Sequence, residues 1–188
     1  MRIQSIAFAL TFVVLFLNAE RSQGEEGKEF APKNKMYTIM MPAGKNQSKL
    51  TRVIRIGRHK VPVEASGIVV EGGTRYLGAS IGIPAVVMRD IPADGRFDTL
   101  RDAIVKGMNG KVVKESNIKK DEVPGKEYQV QQPNGVARVH LYTVAGFVLY
   151  ATIEGKTNEE VNSKQADAFF KSLKLTEQAK EVFREVKR

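Results

Sequence analysis

Gly78-Ala79-Ser80-Ile81-Gly82 fits the catalytic pattern G-x-S-x-G. That pattern holds a serine on a sharp turn between a strand and a helix. Its hydroxyl is activated by a histidine, which a carboxylate orients, both later in the chain. Asp90 and His140 follow Ser80 in that order. Four features weigh against the chemistry. Pro84-Ala85-Val86-Val87 does not open a clean helix, and the alternation around Ser80 runs straight through it as a strand. The sheet expected here is also antiparallel, in a chain small for such a hydrolase. The expectation is a plain strand at Ser80 and a protein that is not an enzyme, with a small serine hydrolase using Ser80 as the alternative. An acid pair of the glycosidase kind is defined by carboxylate separation, which spacing along the chain does not supply.

Metal and thiol chemistry have little to work with. The sequence holds no cysteine and two histidines, His59 and His140, which removes disulfides, thiolate ligands and cysteine nucleophiles together. Met36, Met40 and Met41 are soft ligands of the kind copper(I) prefers. On a strand, however, Met40 and Met41 point to opposite faces, so at least one is core. No metal and no cofactor is expected.

Binding is better served. A register drawn from the apolar faces places His140 between Arg138 and Tyr142 and near Tyr150. Such a cationic, aromatic-rimmed patch can hold an anion or a planar ligand, and the competing reading is a polar sheet face covered by a helix, a loop or water. His59 sits in a turn between Arg58 and Lys60 and is expected to be exposed. From Ala31 to Val63 there is no acidic residue, while Lys33, Lys35, Lys45, Lys49, Arg52, Arg55, Arg58 and Lys60 fall within that stretch. A field of this sign attracts an anionic polymer, a lipid surface or another protein of the cell envelope. No nucleic-acid motif accompanies it. Arg52 and Arg55 fall on opposite faces of a strand, which leaves Arg58 and Lys60, in the turn, as the safer pair for such contacts.

The elements that must position these residues begin with an export signal. Met1-Arg2 precedes an apolar run from Ile6 to Leu17, shorter than the roughly 20 residues that span a bilayer and suited to a signal peptide. Cleavage is expected after Gly24, with Ala19 the second candidate. Losing Arg2, Arg21 and Glu20 with residues 1–24 leaves 28 basic and 20 acidic residues, a net charge of +8 against +9 for the whole chain. The mature protein is then exported, periplasmic or secreted, with no transmembrane segment. Residues 25–35 are polar and aperiodic and read as a flexible leader.

Alternation predicts strands over Met36–Met41, Leu50–Ile56, Val61–Val70 and Thr74–Ile83, with Pro62 near the start of the third. Phe97, Leu100, Ile104 and Met108 recur with helical spacing up to Asn109-Gly110. Strands resume at Lys111–Ile118 and Gly125–Gln131. Asn134-Gly135, read as a type I′ turn, pairs Val130 with Val139 and Tyr128 with Leu141. A three-residue loop at Val144-Ala145-Gly146 pairs Leu141 with Leu149. Thr157 and Glu160 form a capping box for a helix to about Leu173, and 176–188 is an amphipathic helical tail. The fold class is α+β: an antiparallel meander of about eight strands flanked by two helices.

With the elements placed, the chain resembles the PsbP-like superfamily, in an exported bacterial branch. The resemblance is carried by Tyr37-Thr38-Ile39-Met40-Met41-Pro42, by Tyr76-Leu77-Gly78-Ala79-Ser80-Ile81 leading to Pro84, and by Asp98-Thr99-Leu100-Arg101-Asp102-Ala103. Pro124-Gly125-Lys126-Glu127-Tyr128 and Phe169-Phe170-Lys171-Ser172-Leu173-Lys174-Leu175 complete it, over residues 36–175. It implies an antiparallel sheet flanked by helices. Its members include photosystem extrinsic subunits and a Ran-binding import factor, so it implies no single function and no site residue. In a bacterial chain the sequon Asn46-Gln47-Ser48 is discounted.

Overall fold

Strands of alternating burial, folded back at tight turns, build most of the molecule. The computed structural model describes residues 27–187 apart from Lys45, Ala93, Asp94 and Ala145, and leaves aside the side chains of Arg52, Val186 and Lys187. The apolar run and both cleavage sites lie outside the described residues.

Among the described residues ten strands are formed: β1 (Lys28–Phe30), β2 (Tyr37–Met41), β3 (Asn46–Ile56), β4 (His59–Val69), β5 (Arg75–Gly82), β6 (Lys111–Lys120), β7 (Val123–Gln132), β8 (Gly135–Val144), β9 (Phe147–Gly155) and β10 (Lys174–Leu175). The helices are α1 (Ala85–Arg89), α2 (Arg96–Gly107), α3 (Asn158–Val161), α4 (Lys164–Ser172) and α5 (Glu177–Lys187). Seven strands make one antiparallel sheet in the order β3-β4-β5-β9-β8-β7-β6, and β1-β2-β10 make a second, small one. The chain builds β3 to β5 as a meander, crosses through α1 and α2 to the far edge, and returns from β6 to β9. β9 thereby closes against β5.

Both faces of the large sheet are buried. On one, Leu100, Ala103 and Ile104 of α2 pack over Ile54, Val61, Leu77, Tyr128, Val139 and Tyr150. On the other, Tyr37 and Ile39 of β2 with Val161, Phe169 and Phe170 of α3 and α4 cover Tyr76, Tyr142, Leu149 and Ile153. The α+β, antiparallel reading holds.

Several details are corrected. β2 leaves the main meander for the small sheet, where it pairs with β1 inside the expected leader. The β7–β8 loop is Pro133-Asn134, so Tyr128 lies opposite Val139 and Val130 opposite Ala137. Gly135 belongs to β8, opposite Gln132, and must be glycine because a Cβ there would stand 2.2 Å from the Gly155 carbonyl oxygen. β8 runs to Val144 and pairs it with Phe147, which sets Leu141 opposite Tyr150 instead of Leu149. That one-residue difference exchanges the faces of β9. The helix expected from Thr157 to Leu173 is two, each with its own cap: the Thr157 hydroxyl accepts from the N–H of Glu160, and that of Ser163 from the N–H of Ala166. A short helix, α1, also follows Pro84 directly, where none was expected.

Candidate functional site

Strands β4 and β5 pair only at Ser66–Val69 with Arg75–Gly78. Beyond that fork β4 continues to His59 against β3, and β5 continues to Gly82 against β9. Local chemistry explains the parting. Pro62 has no N–H to give a neighbour, and proline is tolerated in a strand only where one edge is free. At the fork itself two glycines permit a close crossing. A Cβ on Gly67 would lie 1.8 Å from the Tyr76 carbonyl oxygen, and one on Gly78 2.6 Å from the Tyr37 hydroxyl.

The gap is a cleft of about 610 Å³. Lys60, Pro62, Glu64 and Ser66 form one wall, Gly78, Ser80 and Gly82 the other, and the segment Phe30–Lys33 flanks both. Lys33 is engaged by Glu64 at 3.1 Å. Lys60 stands opposite Arg55 in the β3–β4 register, and among the described residues no ion pair engages either cation. Arg58, at the hairpin tip, is drawn to Asp90 at 3.4 Å. His59 is half-buried instead of exposed and meets the same carboxylate at 2.9 Å. The hydrogen bond from His59, aided by the Arg58 charge, holds the Asp90 carboxyl below its usual value.

Ser80 is a strand residue opposite Leu149. Its hydroxyl accepts a 2.7 Å hydrogen bond from the Asn34 amide, whose own oxygen accepts from the N–H of Met36. The residues that would complete a serine triad are engaged elsewhere: Asp90 by His59, and His140 by Glu127. Met40 is exposed while Met36 and Met41 are core, so the three thioethers do not converge.

Arg138, His140 and Tyr142 share one face of β8, beneath α4. His140 donates through Nε2 to Glu127 at 2.6 Å, and its ring stacks on Phe170 at 3.8 Å between centres. Arg138 reaches the same Glu127 oxygen at 2.8 Å and Asp167 of α4 at 2.7 Å, with its guanidinium 5.0 Å from the centre of the Phe170 ring. Tyr142 meets His140 edge-on at 6.3 Å. The hydrogen bond from His140, followed by those from Arg138, drives the Glu127 carboxyl down to about 2. Burial lowers His140 below its ordinary value and raises Tyr142 to about 12. Tyr150 does not join them. It lies on the opposite face, with its hydroxyl directed at the Met108 sulfur at 3.8 Å. The group is a strut that ties α4 to the sheet; only 8% of His140 is exposed.

The structure thus brings Lys60 and Ser80 into one cleft, and leaves Arg58 and the His140 group outside it. The sequence reading missed Asn34, Glu64, Gly67 and the contribution of Lys33. Pro62 in mid-strand is the signal that points to the open edge.

No family model and no curated protein matches the sequence. Among solved structures, the chain is similar to cyanobacterial PsbP from Synechocystis sp. PCC 6803. The TM-score is 0.50 at 12% identity, over 80% of this chain and 93% of that one. A protein of unknown function from Pseudomonas aeruginosa aligns over 76% of this chain and 94% of its own, at 18% identity and a TM-score of 0.36. The chain has a PsbP-like fold. No described helix is long and apolar enough to cross a membrane.

Proposed function

We propose that this protein is an exported, non-catalytic binding module that takes an anionic partner at the cleft between β4 and β5. The observation that carries the reading is the pair Lys60 and Arg55, adjacent in register beside a cavity of about 610 Å³ and free of ion pairs among the described residues. Two neighbouring cations raise the local potential and favour an anion that neutralises both. Ser80 supports the non-catalytic part, since its hydroxyl is held by an amide that cannot serve as a general base. Export rests on the apolar run Ile6–Leu17.

The test is salt-gradient elution from immobilised heparin. The double variant Arg55→Glu, Lys60→Glu should elute at clearly lower salt than the wild type, because exposed charges act within about 10 Å at 0.1 M salt. Arg58→Glu alone, which touches a cation already matched to Asp90, should move elution far less. Unchanged elution of the double variant would sink the reading. N-terminal sequencing of secreted protein should begin near Glu25, and a retained Met1 would refute export by a cleaved signal.

A further inference from the structure

The fork leaves main-chain groups with no strand beside them. The N–H of Val70 donates to the Thr74 carbonyl at 3.0 Å, which makes these two a hydrogen-bonded pair. Such pairs alternate with non-bonded ones along an antiparallel ladder. Ile68 with Tyr76 and Ser66 with Gly78 are therefore the next hydrogen-bonded pairs in the β4–β5 register. The same parity turns the N–H and C=O groups of Ser80 and Gly82 on β5, and those of Lys60 and Glu64 on β4, toward the cleft. Pro62 shares that parity, so its missing N–H is on the cleft side and costs β4 nothing in its ladder with β3. The β5 segment from Ser80 to Gly82 is an open strand edge inside a cavity, the arrangement that strand addition satisfies.

We propose that the cleft receives an extended peptide from another protein, added as a strand along β5 at Ser80 and Gly82, with acidic and apolar side chains in alternation. The proposal rests on the anionic-partner reading and names the partner class. Successive side chains of an added strand point to opposite faces. One face of the cleft presents Lys60 with Arg55 behind it. The other presents Val61 and Ile81, next to an apolar void of about 10 Å³ bordered by Val63, Ala65, Ile81 and Tyr150. A free anion or a sulfated polymer would use the cations alone. An alternating peptide uses the cations, the apolar floor and the open backbone together.

The experiment uses a fluorescent probe, the amidated heptapeptide Glu-Val-Glu-Val-Glu-Val-Glu, and two further versions N-methylated at every valine or at every internal glutamate. N-methylation leaves the charge intact and removes the N–H donors of one edge. The parent should bind the mature protein at low salt and protect the Ser80 and Gly82 amides from hydrogen exchange. At least one methylated version should bind tenfold or more weakly. Gly82→Pro, which removes a donor on the cleft side only, should weaken the parent by a similar factor. Equal binding of all three peptides, or no peptide binding beside intact heparin retention, overturns strand addition and leaves the anionic reading standing. Loss of both kinds of binding overturns the two together.

Discussion

Glu127 accepts from His140 and from Arg138 on a single oxygen, and its effect on stability has a definite sign. Its carboxyl titrates near 4.5 in an unfolded chain and about 2 in the fold. Its contribution is therefore complete above pH 4.5 and is lost as the pH falls toward 2. His140 adds to the same trend. Its folded value lies below 6.5, so stability falls as the pH drops below 6.5, where the unfolded chain takes up the proton first. Glu127→Gln should cost about 2 kcal/mol at pH 7, as expected for hydrogen bonds to a charged acceptor. It should also flatten the loss between pH 4.5 and 2. Urea unfolding of both proteins at pH 7 and pH 3 measures each effect, and an undiminished acid loss in the variant would exclude Glu127 as its source. Arg138 and His140 were legible as a cationic pair, but their acid was not. Glu127 faces His140 only in the actual register; a two-residue shift sets it opposite Tyr142.

That shift arises at the level of strands and turns. β9 is buried along nearly its whole length and β8 along most of it, so alternation, which fixes register where one face is wet, is nearly silent here. The turns then decide, and sequence alone misreads them. Asn134-Gly135 looks like a turn, but Gly135 is required for close approach to Gly155. The opposite case is the β6–β7 turn, Asp121-Glu122, which has no glycine although both residues are left-handed, with φ of 46° and 70°. Left-handed backbone costs an ordinary residue roughly 1 kcal/mol. Asp121→Asn with Glu122→Gly supplies the pair a type I′ turn prefers. It should raise the unfolding free energy by about 1 kcal/mol, even though the exposed Lys119–Glu122 ion pair is lost. Denaturant midpoints decide this, and a lower midpoint would mean that the turn is not strained. Helix α2, by contrast, was read from its apolar spacing almost to the residue, because it has one wet face.

At the scale of the whole molecule, hairpin connectivity and the α+β class follow from local signals. The small sheet does not, because β1 and β10 are three and two residues long and pair across the chain. β2 joins them, and the N–H of Thr176 reaches the Met36 carbonyl at 3.2 Å, so both ends of the domain close one layer. Residues 27–35, polar enough to pass for a leader, contribute Phe30 to that layer, Asn34 to Ser80 and Lys33 to Glu64. A chain starting at Met36 should therefore be less stable than one starting at Gly27. Partial burial of a phenylalanine and the lost hydrogen bonds amount to about 3 kcal/mol. For a domain of this size that lowers the melting temperature by about 6–12 °C. The shorter chain should also lose salt-sensitive binding at the cleft, since the wall from Phe30 to Lys33 goes with it. Calorimetry of the two chains separates the alternatives. Equal melting temperatures would return residues 27–35 to the role of a passive leader. A drop with binding retained would show that this segment stabilises the fold without shaping the site.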